Sequence, residues 1–230
     1  MSRAQIDKLG ERLKAGPTTA ADLRLLDEYR QTFRAAYAEV VTAVADLGFA
    51  PTGRPAKSTS AIIDKLRRES IRLTQIQDIA GCRIVVVDRL EQDAVAARLR
   101  ERLVEVEIVD RRASPSHGYR AVHAIARPQG LPVEVQIRTV WQHHWAETSE
   151  RLADEVGPGL KYGQGPPDLQ RQMTDWSDAI GRWEIWLASR PTASKATLVE
   201  QTEAEREHQS VLAARRQALE TLAAIRRRKD

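Results

Sequence analysis

The segment CRIVVV, residues 82–87, constrains the fold of this chain more than any other stretch. A short, nearly continuous apolar run with several β-branched residues is typical of a strand that is buried on both faces. Three further strand candidates follow it, namely VEVEIV, GYRAVHAIA and PVEVQIR. The last two are separated by RPQGLP, a sequence typical of a hairpin turn, so we predict a sheet of four or five strands.

Helical periodicity precedes, interrupts and follows these strand candidates. The predicted helices cover residues 1–15, about 20–48, 59–69, 89–103 and about 194–229. Thr18 or Thr19 is the predicted N-cap of the second helix. From residue 139 onward, the whole chain is predicted to be helical apart from a Gly/Pro-rich break at 154–168. We interpret GFAPTGRPAKSTS, which separates the second helix from the third, as a loop. The pattern predicts an α+β fold in which a mixed four- to five-stranded sheet has flanking helices. We expect an N-terminal helical segment at 1–49, a catalytic core at 50–165 and a C-terminal helical extension at 166–230.

Composition excludes several classes of protein. Cys82 is the only cysteine, so the chain has neither a disulfide framework nor a cysteine-based zinc site. No apolar run is long enough to span a bilayer, and the first residues lack the apolar core of a signal peptide. We therefore expect a cytoplasmic protein with no membrane partner. The net charge of +4 is mildly basic and differs from that of a dedicated nucleic-acid coat.

A nucleotide site in this chain would have to be built from side chains. The sequence contains neither GxxxxGK[ST] nor GxGxxG between a strand and a helix, and GPGLKYGQG is interpreted as a connector between helices. The segment from Gly53 to Ser70 supplies cations, above all Arg54, Lys57 and Lys65, of the kind that neutralise phosphate oxygens. The alternative is a solvated helix face with a basic loop.

Two carboxylates are candidates for the chemistry. Asp78 lies just before the CRIVVV strand, followed by Gly81 and by Arg83 at the strand start, and a carboxylate there could hold Mg²⁺ or simply cap a turn. Glu134 faces away from the core by the period of two in PVEVQIR, so it could join Asp78 around a metal or act as a base. Gln136 shares its face. Arg138, on the same face, could orient Glu134 or a substrate.

The segment 110–130 has the features of a nucleotide-binding loop. It contains no acidic residue after Asp110, and its arginines include Arg112 and Arg120. Tyr119 and His123 share a strand face, and an exposed tyrosine beside guanidinium groups can stack on a nucleobase. The alternative is a hairpin with a basic loop and a core tyrosine.

Taken in order, four segments resemble the synthetase domain of the RelA/SpoT family, which makes the alarmone (p)ppGpp. They are GRPAK…DKLRRES, QDIAGCRIVVV, HGYRAVH and VEVQIRTVWQHHWAE, between about residues 50 and 150, and the chain is similar to the small single-domain members. The resemblance implies a nucleotidyltransferase-like fold and a Mg²⁺-dependent transfer of the β,γ-pyrophosphate of ATP to the 3′-hydroxyl of GDP or GTP. Charge neutralisation and positioning, which these residue types supply, are what phosphoryl transfer needs.

The resemblance also implies a role for each candidate residue. Asp78 and Glu134 would hold the metal, and Glu134 would also deprotonate the 3′-hydroxyl. The ATP-binding residues would be Arg54, Lys57, Lys65 and Arg83; those binding the acceptor would be Tyr119, His123, Gln136, Arg112 and Arg120; and the supporting residues would be Arg138, His143 and Glu147. His143 and His144 are adjacent, but no third ligand spacing supports zinc, so packed or supporting histidines are the expected interpretation.

The acceptor loop RRASPSHGYR departs from the family pattern. The usual Pro-Lys pair is absent, His117 stands where the family has Asn, and Arg111, Arg112 or Arg120 would have to replace the lysine charge. The loop and the basic C-terminal RRRK are compatible with an alternative, a toxin that pyrophosphorylates the 3′ end of tRNA. The resemblance also allows a second alternative, an adenine-alarmone synthetase. A third alternative is an inactive nucleotide- or RNA-binding module. We expect a homo-oligomer or, for a toxin, an antitoxin partner.

Overall fold

The computed structural model describes residues 1–189 and 198–228 and contains eight α-helices and five strands in those ranges. In chain order they are α1 (Arg3–Ala15), α2 (Ala20–Gln31), α3 (Arg34–Asp46), β1 (Thr52–Arg54), α4 (Thr59–Arg68), β2 (Ala80–Val86), α5 (Arg89–Arg102), β3 (Glu107–Asp110), β4 (Val122–Ala126), β5 (Val133–Thr139), α6 (Val140–Val156), α7 (Pro167–Ala188) and α8 (Leu198–Arg227). The strands form one mixed sheet in the order β1-β2-β5-β4-β3, with helices flanking it. This confirms the predicted α+β fold.

The chain divides into two compact units. The first comprises Met1–Ile84, Val95–Val109 and His123–Ile137, and the second comprises Val85–Ala94, Asp110–Val122 and the chain from Arg138 onward. The expected division at residues 49 and 165 stays a prediction.

The first unit has its N-terminal helix closely packed on the chain that leads into β2. A Cβ on Gly10 of α1 would lie 2.8 Å from the Cβ of Leu73, so the two backbones approach each other closely. Leu73 begins a 3₁₀ turn (Leu73–Gln75), and the Asp7 carboxylate accepts hydrogen bonds from the backbone and hydroxyl of Thr74. These contacts hold the segment that ends in Asp78.

β1 was expected to be a loop, and this prediction is wrong. Thr52, Gly53 and Arg54 pair antiparallel with Arg83, Cys82 and Gly81 of β2. Gly53 permits the pairing, because a Cβ there would lie 2.5 Å from the Cα of Cys82. The loop composition gave no hydrophobic alternation from which this short strand could be recognised.

The prediction that CRIVVV is buried on both faces is also wrong. In β2, Cys82, Ile84 and Val86 are buried, whereas Arg83 is half-buried and Val85 is 39% exposed. The strand that is buried on both faces is β4, all of whose residues are buried. β2 therefore has one face on the core and one face available to a ligand.

The predicted helix over 20–48 is divided into α2 and α3 at Thr32 and Phe33. Thr19 provides the N-cap of α2 as predicted. At the break, the Thr32 hydroxyl donates to the carbonyl of Tyr29, and Phe33 is fully buried with its ring edge-on to Tyr29. No Gly or Pro marks the position, so the residues at the break give no local signal of it.

The second unit is built around α6, α7 and α8. Their shared core includes Trp145, Trp176, Ile180 and Val211. Thr139 caps α6, and a 3₁₀ turn (Pro158–Tyr162) lies in the Gly/Pro-rich break. The start and end of the predicted helix 194–229 fall partly on residues 190–197 and 229–230, which lie outside the described residues. No helix within the described ranges has the length and hydropathy needed to cross a membrane.

Replacing Phe33 with Ala should destabilise the protein by about 3 to 5 kcal/mol, because it removes a fully buried ring at the junction of α2 and α3. The matched control is Leu23→Ala on α2, where the side chain is 39% exposed and the loss should be about 0.5 kcal/mol. Guanidinium unfolding followed by circular dichroism measures both. Equal losses in the two variants would contradict the assigned packing.

Candidate active site

Asp78 lies in the turn before β2 and is held by two lysines. Its carboxylate accepts hydrogen bonds from Lys57 Nζ at 2.5 Å and from Lys65 Nζ at 3.0 Å. Lys57 lies just before α4 and its backbone N–H donates to the carbonyl of Ile79, whereas Lys65 projects from α4 itself. These elements bring three of the predicted site residues together.

The lysines decide the charge of Asp78. Burial by itself would raise the pKa of the carboxyl, which is only 21% exposed. The charges and hydrogen bonds of Lys57 and Lys65 together outweigh that effect, so the pKa of Asp78 lies below its ordinary value. Asp78 is therefore ionised at neutral pH.

Glu134 projects from β5 and is 13% exposed. His123 Nδ1 lies 2.9 Å from one carboxylate oxygen, and Gln136 Nε2 donates to the other at 2.8 Å. Burial and the charge of Asp78 raise the pKa of Glu134, but the hydrogen bonds from His123 and Gln136 and the charge of His123 outweigh them. The net effect lowers the pKa, so Glu134 is also a carboxylate at neutral pH.

The two carboxylates approach each other because Gly81 has no side chain. A Cβ on Gly81 would lie 2.8 Å from the Glu134 carbonyl oxygen and 3.5 Å from the Glu134 Cβ. β2 and β5 can therefore run closely side by side, with Asp78 three residues before Gly81. Gly81 and Glu134 are also thereby placed on the same face of the sheet.

Two arginines share this face. Arg54 of β1 lies opposite Gly81 in the antiparallel pair, and directly opposed residues share a face. Arg83 is two residues beyond Gly81, and its buried Nε has no hydrogen-bond partner in the described part of the chain. Leaving a buried guanidinium N–H unsatisfied is costly, so Arg83 is suited to an anionic ligand such as a phosphate.

The residues present fit a Mg²⁺ ion. Mg²⁺ takes one or two protein carboxylates and completes its shell with water and substrate phosphates, and Asp78 and Glu134 offer such a pair. Among residues 1–189 and 198–228, no group of three or more His, Cys, Asp or Glu side chains could form a protein-only metal site. The donor set thus fits a metal that arrives with its substrate better than a structural metal.

In the segment Asp110–Val122, the structure uses two predicted acceptor residues for other contacts. Arg112 is 9% exposed and bonds to Asp110, to Asp93 at 2.7 Å and to the side chain of Gln92. Arg120 donates to Ser177 and to Asp178 of α7 and to the carbonyl of Arg112. These bonds argue against direct acceptor binding by Arg112 and Arg120.

Tyr119 lies at the end of a tight turn. Its backbone N–H donates to the carbonyl of Ser116, and the two central residues, His117 and Gly118, have positive φ angles. His117 adopts an angle that Asn and His tolerate better than most residues, so the departure from the family's Asn preserves the turn. The Tyr119 ring has the guanidinium of Arg138 5.2 Å from its centroid, and its hydroxyl accepts a hydrogen bond from the same group.

The two remaining predicted residues form a pair on α6. His143 Nε2 lies 3.5 Å from a carboxylate oxygen of Glu147. Both side chains are partly exposed. Their supporting role stays a prediction.

A buried polar network was missed from the sequence. Glu184 of α7 is buried, and it accepts hydrogen bonds from the Thr139 hydroxyl and from Gln142 Nε2, while Gln92 Nε2 donates to Gln142 Oε1 at 2.9 Å. Burial raises the pKa of Glu184, although those hydrogen bonds and two arginines oppose it. Since Arg112 also bonds Gln92, the network connects the 110–122 segment to the start of α6 and to α7. The sequence does contain one signal of this network, because Glu184 places an acidic residue in an apolar helical stripe, four residues after Ile180.

The segment that carries the candidate site matches a known family. Residues 53–153 match the family described as a region found in RelA/SpoT proteins. The match covers 101 of the 230 residues and confirms the resemblance drawn from the four segments.

Among similar proteins, an uncharacterized protein of Mycobacterium tuberculosis is 42% identical over 118 residues, 50% of this chain and 43% of that protein. A GTP pyrophosphokinase of Photobacterium angustum is 27% identical over 138 residues, 57% of this chain and 18% of that enzyme. The chain thus spans less than half the length of these curated relatives. The chain is also similar to the crystal structure of small alarmone synthetase 1 from Bacillus subtilis. That match covers 72% of this chain and 93% of the synthetase chain, with 26% identity and a TM-score of 0.54.

Lys57→Met should destabilise the protein by about 1 to 2 kcal/mol at pH 7, because Asp78 loses one of its two charged partners. The folded-state pKa of Asp78 is lowered, so the ion pairs contribute stability above the ordinary value of 3.8, and this contribution is lost as the pH falls through the folded-state pKa. The difference between Lys57→Met and wild type should therefore shrink below about pH 4.

Urea unfolding at pH 7 and at pH 3 measures this difference. Lys161→Met, at an exposed position, is the matched control and should differ little from wild type at either pH. A Lys57→Met deficit that is independent of pH would show that the ion pair with Asp78 does not cause it.

Proposed function

We propose that this protein is a pyrophosphokinase that transfers the β,γ-pyrophosphate of ATP to the 3′-hydroxyl of GDP or GTP. The 3′-oxygen of the acceptor forms a bond to the β-phosphorus of ATP. The bond from that phosphorus to the oxygen bridging the α- and β-phosphates breaks, and AMP leaves with that oxygen. The hydroxyl proton passes to the carboxylate of Glu134.

One observation carries the proposal. Two partly buried carboxylates, Asp78 and Glu134, both have lowered pKa values and lie close together beside the cations of one sheet face. A binding module for an anionic ligand has little use for two ionised acids in its site, whereas phosphoryl transfer needs metal-binding acids and phosphate-binding cations together. Arg83, with its unsatisfied buried N–H, supports the same interpretation.

Asp78 and Glu134 would hold Mg²⁺, which when bound neutralises charge on the transferred phosphates. Arg54 and Arg83 would bind ATP phosphates from the same face of the sheet. Lys57 and Lys65 keep Asp78 ionised and would be placed beside the same phosphates. The hydrogen bonds from His123 and Gln136 hold Glu134 in one orientation, ready to accept the hydroxyl proton.

Tyr119 would stack on the acceptor base, with the Arg138 guanidinium fixing the orientation of its ring. A guanine nucleotide is supported as acceptor by the Photobacterium relative, a GTP pyrophosphokinase, and by the Bacillus subtilis small alarmone synthetase 1, whose crystal structure was also determined with its product pppGpp. A tRNA acceptor was suggested by the altered acceptor loop and by the basic C-terminal residues. Among the latter, Arg226 is paired with Glu155 at 2.8 Å. No described contact favours tRNA over a free nucleotide.

Purified protein incubated with Mg²⁺ and ATP labelled on the γ-phosphate should transfer the label to GDP or GTP, and Glu134→Gln should lower kcat by at least about a hundredfold. Adenine nucleotides and bulk tRNA are offered separately. Glu150→Gln, at an exposed position of α6, is the matched control and should keep the wild-type rate. Label on tRNA alone would make the protein a translation toxin, and no transfer to any acceptor would favour a binding module.

Asp78→Asn should raise the Mg²⁺ concentration needed for half-maximal transfer by at least about tenfold, equivalent to about 1.4 kcal/mol, because one of two metal-binding carboxylates becomes neutral. A Mg²⁺ titration at saturating ATP measures the shift. Asp64→Asn, exposed on α4, provides the control. An unchanged Mg²⁺ requirement in Asp78→Asn would remove Asp78 from the metal site.

A further inference from the structure

The acceptor segment Asp110–Val122 contains three arginines, and the structure assigns them different roles. All three were candidates to replace the lysine that is missing from this loop. An arginine whose N–H groups are already bonded to carboxylates has little capacity to bind a phosphate as well. The bonds of each guanidinium therefore indicate which arginine can serve.

Arg112 and Arg120 are committed to structural contacts. The Arg112 guanidinium bonds to two carboxylates, those of Asp93 and Asp110, and to the buried amide oxygen of Gln92. The Arg120 guanidinium bonds to Asp178 and fits against Gly181, where a Cβ would lie 2.9 Å from its Cζ. Both arginines fasten the segment to neighbouring helices and carry compensated charge.

Arg111 differs from them. Its backbone N–H donates to the carbonyl of Ala121 at 3.0 Å, which ties Arg111 to the part of the segment that carries Tyr119. Its side chain is half-buried, and within residues 1–189 and 198–228 the guanidinium makes no ion pair or hydrogen bond. A fixed backbone thus presents an uncompensated guanidinium close in the chain to the proposed base-stacking residue.

We infer that Arg111 binds the 5′-phosphates of the acceptor nucleotide and makes the protein selective for a nucleoside di- or triphosphate over a monophosphate. This inference rests on the proposed function, because it concerns the acceptor of that reaction. A guanidinium forms paired, charge-assisted hydrogen bonds with phosphate oxygens. The attraction between the guanidinium and the phosphates grows with the charge of the polyphosphate. The loss of Arg111 should therefore weaken the binding of GTP and GDP more than the binding of GMP.

The test is binding of GTP, GDP and GMP, measured by isothermal titration calorimetry on wild type, Arg111→Ala and Arg111→Lys. Wild type should bind GTP and GDP more tightly than GMP. Arg111→Ala should weaken the binding of GTP and GDP by at least about tenfold and the binding of GMP by less than about threefold. Arg111→Lys should recover part of the lost affinity. Arg98→Ala, at an exposed position of α5, is the charge-matched control and should bind like wild type.

Steady-state transfer assays complete the test. The KM for GTP should rise in Arg111→Ala while the KM for ATP stays unchanged, and circular dichroism should show an unchanged melting temperature. Wild-type affinity for GTP in Arg111→Ala, or an equal loss for all three nucleotides, would overturn the inference while leaving the proposed function intact. Lost phosphate selectivity in Arg111→Ala, together with a wild type that transfers no label, would sustain the inference and overturn the proposed function. A wild type that binds no guanine nucleotide would overturn both.

Discussion

The close approach of β2 to β5 at Gly81 is the contact on which the candidate site depends. Only glycine fits there, because a Cβ would meet the carbonyl oxygen of Glu134 at 2.8 Å. The approach brings Glu134 near enough to Asp78 for the charge of Asp78 to raise the pKa of Glu134. Two partly buried acids at that separation repel each other. The lysines on Asp78 and the hydrogen bonds from His123 and Gln136 to Glu134 compensate, so both acids stay ionised.

The arginines of this chain illustrate that a residue type does not determine a role. Arg112 and Arg120 lie in the segment where phosphate-binding cations are expected, but neighbouring carboxylates on α5 and α7 use their donors. Arg83 and Arg111 have donors that nearby residues of the described chain leave unused. The difference is set by where acidic side chains fall in space, because a guanidinium that is already paired gains little from a second anion. The density of positive charge along the sequence therefore indicates which segment could bind phosphate. The ion pairs in the structure then indicate which arginine of that segment is available to do so.

Local patterns predicted most elements of the fold. Apolar periodicity located the helices and four of the five strands, and Thr19 was among the two predicted caps because its side chain can accept from a helical N–H. The failures share one cause. The break at Phe33, the strand Thr52–Arg54 and the exposed face of β2 all depend on what packs against the segment, and the residues themselves carry no local signal of that partner. The Glu184 network belongs to the same group, since its members come from α7, α6 and α5.

The sequence by itself determined the class of fold, the resemblance to a family and the set of candidate residues, because periodicity and ordered motifs are properties of the chain alone. It placed Glu134 and Gln136 on one strand face, which the period of two requires. The tertiary structure decided which charges compensate one another. Lys57 and Lys65 reach Asp78 from a different element, His123 reaches Glu134 from a neighbouring strand, and Asp178 of α7 occupies Arg120. These pairings join residues that are distant in sequence, and electrostatic compensation depends on separation in space, so no pattern along the chain could reveal them.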